Sequence, residues 1–129
     1  PTSKNLQLLG SSWWAAQEIN KAIPEMKRAA AKSDTGDLWA RLCNIYLDND
    51  EFKNALDSCN KGLKKGDNKR RDTIYLAKGM AHFNLKQFTP ARKAFTKAAK
   101  EDKRSENHAN QWIKYLEKEI EREKSMEEI

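Results

Sequence analysis

Residues 75–95 read Tyr75-Leu76-Ala77-Lys78-Gly79-Met80-Ala81-His82-Phe83-Asn84-Leu85-Lys86-Gln87-Phe88-Thr89-Pro90-Ala91-Arg92-Lys93-Ala94-Phe95. Apolar and small residues recur at three- and four-residue steps up to Leu85. The pattern then restarts at Phe88 and continues through Ala91 and Phe95 to Ala98. That spacing predicts two short amphipathic helices joined by a tight turn. Gly79 and Ala91 are the small residues, one on each helix, and they stand where two antiparallel helices must approach closely. Thr89-Pro90 opens the second helix, with Thr89 as its expected cap and Pro90 in the first turn, where a missing N–H costs little.

The same arrangement appears twice upstream. One copy carries Trp39, Leu42-Cys43, Tyr46, Phe52, Ala55, Cys59 and Gly62; the other carries Leu6, Leu9-Gly10, Trp13, Ile19, Ala22, Met26 and Ala29. The recurring alanines Ala22, Ala55 and Ala91 stand 33 and then 36 residues apart. A period in this range marks a repeat array whose units bury their apolar faces only against their neighbours. The expected helices cover 4–16, 19–32, 36–48, 52–65, 72–85, 88–100 and 106–124, about seven in all.

The pattern resembles the tetratricopeptide (TPR) repeat, a 34-residue helix–turn–helix with the signature W-x2-L-G-x2-Y…A-x3-F. The resemblance covers residues 3–105 as units 3–35, 36–71 and 72–105. It implies an all-α, right-handed α-solenoid of three helical hairpins. Departures are Lys78 where Leu is usual, His82 where an aromatic is usual, and a two-residue excess near Gly66–Arg71. Beyond the repeats, Ala109, Trp112, Ile113, Leu116 and Ile120 form an apolar stripe on a terminal helix over 106–124, with one face left polar. Such a helix closes the open end of a stacked array. Residues 125–129 are expected to fray.

Composition narrows the classes. Charged residues make up 34% and hydrophobic ones 38%, too apolar and too poor in Gly and Pro for a disordered tail. No apolar run approaches the length of a membrane span. Residues 1–15 show no basic-then-apolar leader, and an opening at Pro1 reads as a piece of a longer protein. The net charge is +6, concentrated in residues 72–105, which carry +5, while residues 106–129 carry −3.

Catalytic chemistry has no foothold. His82 and His108 are the two histidines, and no Cys, His or carboxylate cluster has ligand spacing, so neither a metal nor another cofactor is expected. Asp48, Asp50 and Glu51 fall in a turn and a first helical turn, where acids favour the helix N-terminus. There is no phosphate-binding glycine loop and no nucleophile elbow. Cys43 and Cys59 fall on facing helices of one unit and read as buried thiols acting as small hydrophobes, with a bond between them the alternative in an oxidising compartment. Lys61, Lys64, Lys65, Lys69, Arg70 and Arg71 form the densest basic cluster; without aromatic partners it reads as a solvated loop, and nucleic acid is not an expected partner.

Function is expected in the concave groove, where proteins of the TPR family bind peptides along the first helix of each unit. Carried over by register, the groove positions are Gln7, Ser11, Trp14 and Ala15; then Asp37, Ala40, Asn44, Leu47 and Asp48; then Thr73, Leu76, Met80, Phe83 and Asn84. Trp14, Leu47 and Phe83 hold the same repeat position and are expected to form an apolar ladder, unless another element covers them as core. Asn44 offers both a donor and an acceptor to a peptide backbone. The chaperone-binding class of the family clamps a terminal carboxylate with Lys, Asn and Arg, but the matching places here hold Gln7, Ser11, Leu76 and Met80, with Asn44 alone agreeing.

A narrower similarity lies in Gly79–Phe88 and in Gln111-Trp112-Ile113-Lys114-Tyr115-Leu116-Glu117. These runs are similar to the C-terminal end of bacterial TPR proteins associated with TonB energy-transduction systems. That likeness implies a periplasmic or envelope adaptor with TonB-complex components among its partners. The expected function is therefore a non-enzymatic scaffold that binds a partner protein or peptide. The alternative is a structural or oligomerisation module that continues a longer solenoid.

Overall fold

The architecture is that of a computed structural model, which describes residue 18 and residues 20–127. Helix α1 covers 20–32. It is followed by α2 (Asp37–Asp48), α3 (Phe52–Lys65), α4 (Arg71–Asn84) and α5 (Phe88–Glu101). A 3₁₀ turn (Lys103–Ser105) then leads into α6 (Glu106–Glu127). The chain is all-α over the described residues, an array of stacked helical hairpins as expected of a TPR solenoid. The expected helix 4–16, with Leu6, Leu9, Gly10 and Trp13, lies outside the described residues. So do Ile19 and the tail positions 128–129.

The hairpins α2–α3 and α4–α5 are joined by the same turn, 36 residues apart. Asp50 and Lys86 both have φ of 59°. Asp50 N–H donates to Leu47 O at 3.0 Å and Glu51 N–H to Tyr46 O at 2.9 Å; Lys86 N–H donates to Phe83 O and Gln87 N–H to His82 O, both at 2.9 Å. These bonds occupy carbonyls that a helix end leaves without intrahelical partners. A period visible in the side chains is thus a period of the backbone as well.

Close approach within each hairpin follows from its small residues. Gly79 of α4 lies against Phe95 of α5, so that a Cβ there would stand 2.6 Å from the ring. Gly62 of α3 backs onto Gly36 at the start of α2, where a Cβ on Gly36 would meet the Gly62 carbonyl at 2.0 Å. Two apolar clusters result. Trp39, Leu42, Tyr46, Ala55 and Ile74 centre the first; Tyr75, Phe95, Ala98, Ala109 and Leu116 centre the second. Leu63 packs against both and joins them.

Several expectations are corrected here. Cys43 and Cys59 are not free thiols but a disulfide joining α2 to α3, with Cα atoms 5.2 Å apart. The facing, inward positions that made them look like packing residues also place them within bonding reach. Thr89 does not cap α5, because Phe88 and Thr89 are already helical and Gln87 holds the cap position without a side-chain bond. The terminal helix runs to Glu127 instead of ending at 124, so residues 125–127 are helical.

The basic stretch 61–71 is a solvated loop only in part: Lys61, Lys64 and Lys69 are exposed, but 61–65 belong to α3 and several of the cations make contacts within the fold. Lys65 Nζ donates to Ala30 O (2.9 Å) and Ala31 O (2.6 Å), tying the end of α1 to α3. Lys61 pairs with Asp57 at 3.0 Å and lies over the Trp39 ring. Arg71 donates to Tyr75 Oη and Leu63 O. Arg70 donates from Nε (2.9 Å) and Nη2 (2.6 Å) to the buried carboxylate of Asp72. Asp72 also accepts from Ser105 Oγ, and Asp102 accepts from Arg104 N–H (2.9 Å) and from its guanidinium. This network joins the first turn of α4 to the 3₁₀ turn and so fixes where α6 begins.

Candidate functional site

The first helices of the hairpins share one layer. Helix α2 touches α4 directly, and α6 joins the layer through an aromatic cluster. Phe83 of α4 lies 5.5 Å from Trp112 and 5.4 Å from Tyr115 of α6, between ring centroids, and 5.7 Å from Phe88. Trp112 stacks on the buried Phe95 at 5.4 Å with the rings nearly parallel, 8° apart. Trp112 is thus held from beneath while part of it stays open, and Tyr115 is 51% exposed. Phe83, Asn84, His108, Gln111, Trp112 and Tyr115 line an open pocket of about 510 Å³ between α4 and α6.

Not all sequence-derived groove positions meet here. Gln7, Ser11, Trp14 and Ala15 lie outside the described residues. Phe83 and Asn84 line the pocket. Met80 packs beneath it in the second cluster, and its carbonyl accepts from Asn84 Nδ2 at 2.8 Å. That bond within α4 occupies one Asn84 donor and leaves the amide oxygen and the second N–H for a ligand. Asn44 and Asp48 are exposed on α2, Ala40 and Leu47 are half-buried, and the last two pack against the first cluster. Leu47 and Phe83 therefore sit in separate clusters instead of forming one continuous ladder.

Leu76 is 7% exposed and packs within the second cluster, away from the pocket lining. Thr73 donates its hydroxyl to Arg70 O at 2.8 Å, and Asp37 accepts from Lys69 N–H at 3.2 Å, so both help hold the loop before α4. Register alone missed His108, Gln111 and Tyr115. Tyr115 lies one residue before Leu116, beside the apolar stripe of α6, and only the placement of α6 against α4 turns it towards Phe83.

The site offers aromatic surface and hydrogen-bonding groups to a ligand. Among the described residues no three His, Cys, Asp or Glu converge on a point that would hold a metal ion. No described helix is long and apolar enough to cross a membrane. The pocket offers aromatic faces and edges for an apolar side chain, ringed by amide and imidazole groups that fix orientation.

With that geometry, the comparisons with known proteins fall into line. Residues 72–105 match the family model of the tetratricopeptide repeat. They are α4, α5 and the 3₁₀ turn, the same unit that holds Phe83 and the Asp72 network. The chain is also similar to a protein named STIP1 homolog from Dictyostelium discoideum, 27% identical over 117 residues, which takes in 85% of this chain and 20% of the relative. The chain spans about a fifth of the length of that curated relative. No solved structure matches it significantly.

Proposed function

We propose that this chain is a non-enzymatic protein-interaction scaffold that seats an apolar side chain of a partner protein between α4 and α6. The observation that carries the reading is the half-open aromatic pocket of Phe83, Trp112 and Tyr115 on the layer formed by first helices. Burial of a partner's aromatic or aliphatic anchor there supplies affinity, and Asn84, Gln111 and the exposed Asn44 supply register. The test is a pull-down from native extracts with the wild-type chain and with Phe83→Arg/Tyr115→Arg as baits. A partner retained by the wild type and lost by the variant supports the reading. Identical retention by both baits sinks it.

The finer proposal is a bacterial envelope adaptor of a TonB-type system, facing the periplasm. It rests on the likeness in Gly79–Phe88 and Gln111–Glu117 and fits the Cys43–Cys59 bond, since disulfides persist in oxidising compartments. A fractionation that finds the natural protein in a reducing compartment with both thiols free removes it.

The second reading, a module that self-associates or continues a longer solenoid, is favoured by exposed Tyr115 and Met126 on α6. It predicts a mass in solution that rises with concentration and falls back when 106–129 are removed; a constant monomer mass excludes the self-association form.

A further inference from the structure

The second helices of the hairpins build a different surface. Where α2 touches α4, α3 and α5 stay apart, and a cleft of about 500 Å³ runs between them over α4. Lys64 from α3, Lys78 from α4 and Lys93 and Lys97 from α5 line it, and no acidic residue does. Among the described residues none of these four lysines enters an ion pair. The contrast with the neighbouring stretch is sharp, because Lys61, Lys65, Arg70 and Arg71 all have partners within the fold. Like charges left facing one another oppose folding and favour whatever anion relieves them. Its apolar lining is Leu63 and Pro90, with Tyr75 and Ala94 buried behind them.

We propose that this cleft is a second docking site, which takes an acidic amphipathic segment of a partner protein. The segment's carboxylates face the four lysines and its apolar side chains lie on Leu63 and Pro90. Two observations favour a peptide over nucleic acid. Tyr75 is buried, with Lys97 Nζ 5.2 Å above its ring and Arg71 at 5.6 Å, so no aromatic face is free to stack on a base. The nearby guanidinium groups that would fork onto phosphates are engaged, Arg71 with Glu101 and Arg92 with Glu117. A membrane surface is disfavoured because the exposed large apolar residues, Tyr115 and Met126, are on α6 and not beside the cleft.

The experiment is fluorescence anisotropy on the whole chain with a labelled peptide of repeating Glu-Leu-Leu-Glu units. A Lys-for-Glu version of the peptide and a single-stranded oligothymidylate serve as competing probes. The wild type is expected to bind the acidic peptide, and Lys64→Glu/Lys93→Glu/Lys97→Glu to bind it about tenfold more weakly or worse. The milder Lys64→Gln/Lys93→Gln/Lys97→Gln is expected to fall between, with the helical circular dichroism of all three unchanged. Lys114→Glu/Lys118→Glu on α6 and Phe83→Arg/Tyr115→Arg in the groove are expected to bind as the wild type does, which separates this site from the groove. Equal binding by the charge-reversed and wild-type chains, or no binding of the acidic peptide at low salt, overturns the proposal. Tighter binding of the oligothymidylate than of the peptide also overturns it, in favour of nucleic acid. So does a concentration-dependent mass that only the charge-reversed variant lacks, in favour of a second copy of the chain.

Discussion

Gly79 carries the Phe95 ring on its bare Cα, and Phe95 in turn carries Trp112, so one missing methyl group sets the depth of the groove. Gly79→Ala places a Cβ 2.6 Å from a ring that is fully buried and cannot swing aside. The expected cost is about 2 kcal/mol of stability by overpacking, read as a lower urea midpoint at an unchanged m-value. Asp72 acts at the same scale through charge. The Arg70 guanidinium bonded to it, seconded by the Ser105 hydroxyl, holds its carboxyl below the usual carboxylate range, although burial pushes the other way. A carboxyl with a lower pKa folded than unfolded stabilises the fold fully above the unfolded value, and that contribution is lost as pH falls through the folded one. Asp72→Asn is therefore expected to melt below the wild type at neutral pH, with the gap narrowing as the pH drops below about 4. A gap that stays constant through that range contradicts the assignment. The role of Gly79 was legible in the sequence because small residues recur with the repeat. That of Asp72 was not, because its partner Ser105 lies 33 positions away and neither residue belongs to an apolar period.

At the scale of elements, the hairpins and their turns follow from local chemistry and were readable, whereas the staples between them depend on distance. Lys86 holds the turn between α4 and α5 in left-handed backbone, at φ of 59° and with a highly exposed side chain. Lys86→Gly is expected to raise stability by about 0.5–1 kcal/mol, since glycine removes the Cβ penalty and the ion pair to Glu123 is exposed and long. A lower melting temperature in the variant contradicts this. The Cys43–Cys59 bond joins α2 to α3 across a sequence separation of 16. Cys43→Ala/Cys59→Ala is expected to lose about 3 kcal/mol, measured by urea unfolding against the oxidised wild type. Spacing placed the two cysteines on facing helices but could not decide whether they bond, because that depends on a separation between backbones that no periodicity encodes. The 3₁₀ turn escaped notice for a similar reason. It is held by Asp102 accepting from Arg104, a side-chain cap without a hydrophobic signal.

Over the described residues the molecule presents two surfaces of opposite character, an aromatic groove on the layer of α2, α4 and α6 and a lysine-lined cleft between α3 and α5. Repeat register found one half of the groove, Phe83 and Asn84, because equivalent helices face the same way. It could not find the other half, since α6 lies outside the repeats and Tyr115 flanks its apolar stripe. The basic cleft was hidden in the sequence, where the densest run of cations, 61–71, is the one that folding mostly consumes. The central claim is that a partner lies against Phe83, Trp112 and Tyr115, and site-specific photocrosslinking tests it most directly. A photoreactive side chain replaces Gln111, exposed at the pocket wall, and in a second chain Lys118, exposed two turns further along α6 and outside the pocket. The account predicts a crosslinked partner from position 111 that Phe83→Arg abolishes, and none from position 118. Crosslinks from 118 alone, or from 111 with undiminished yield in the Phe83→Arg background, would contradict it.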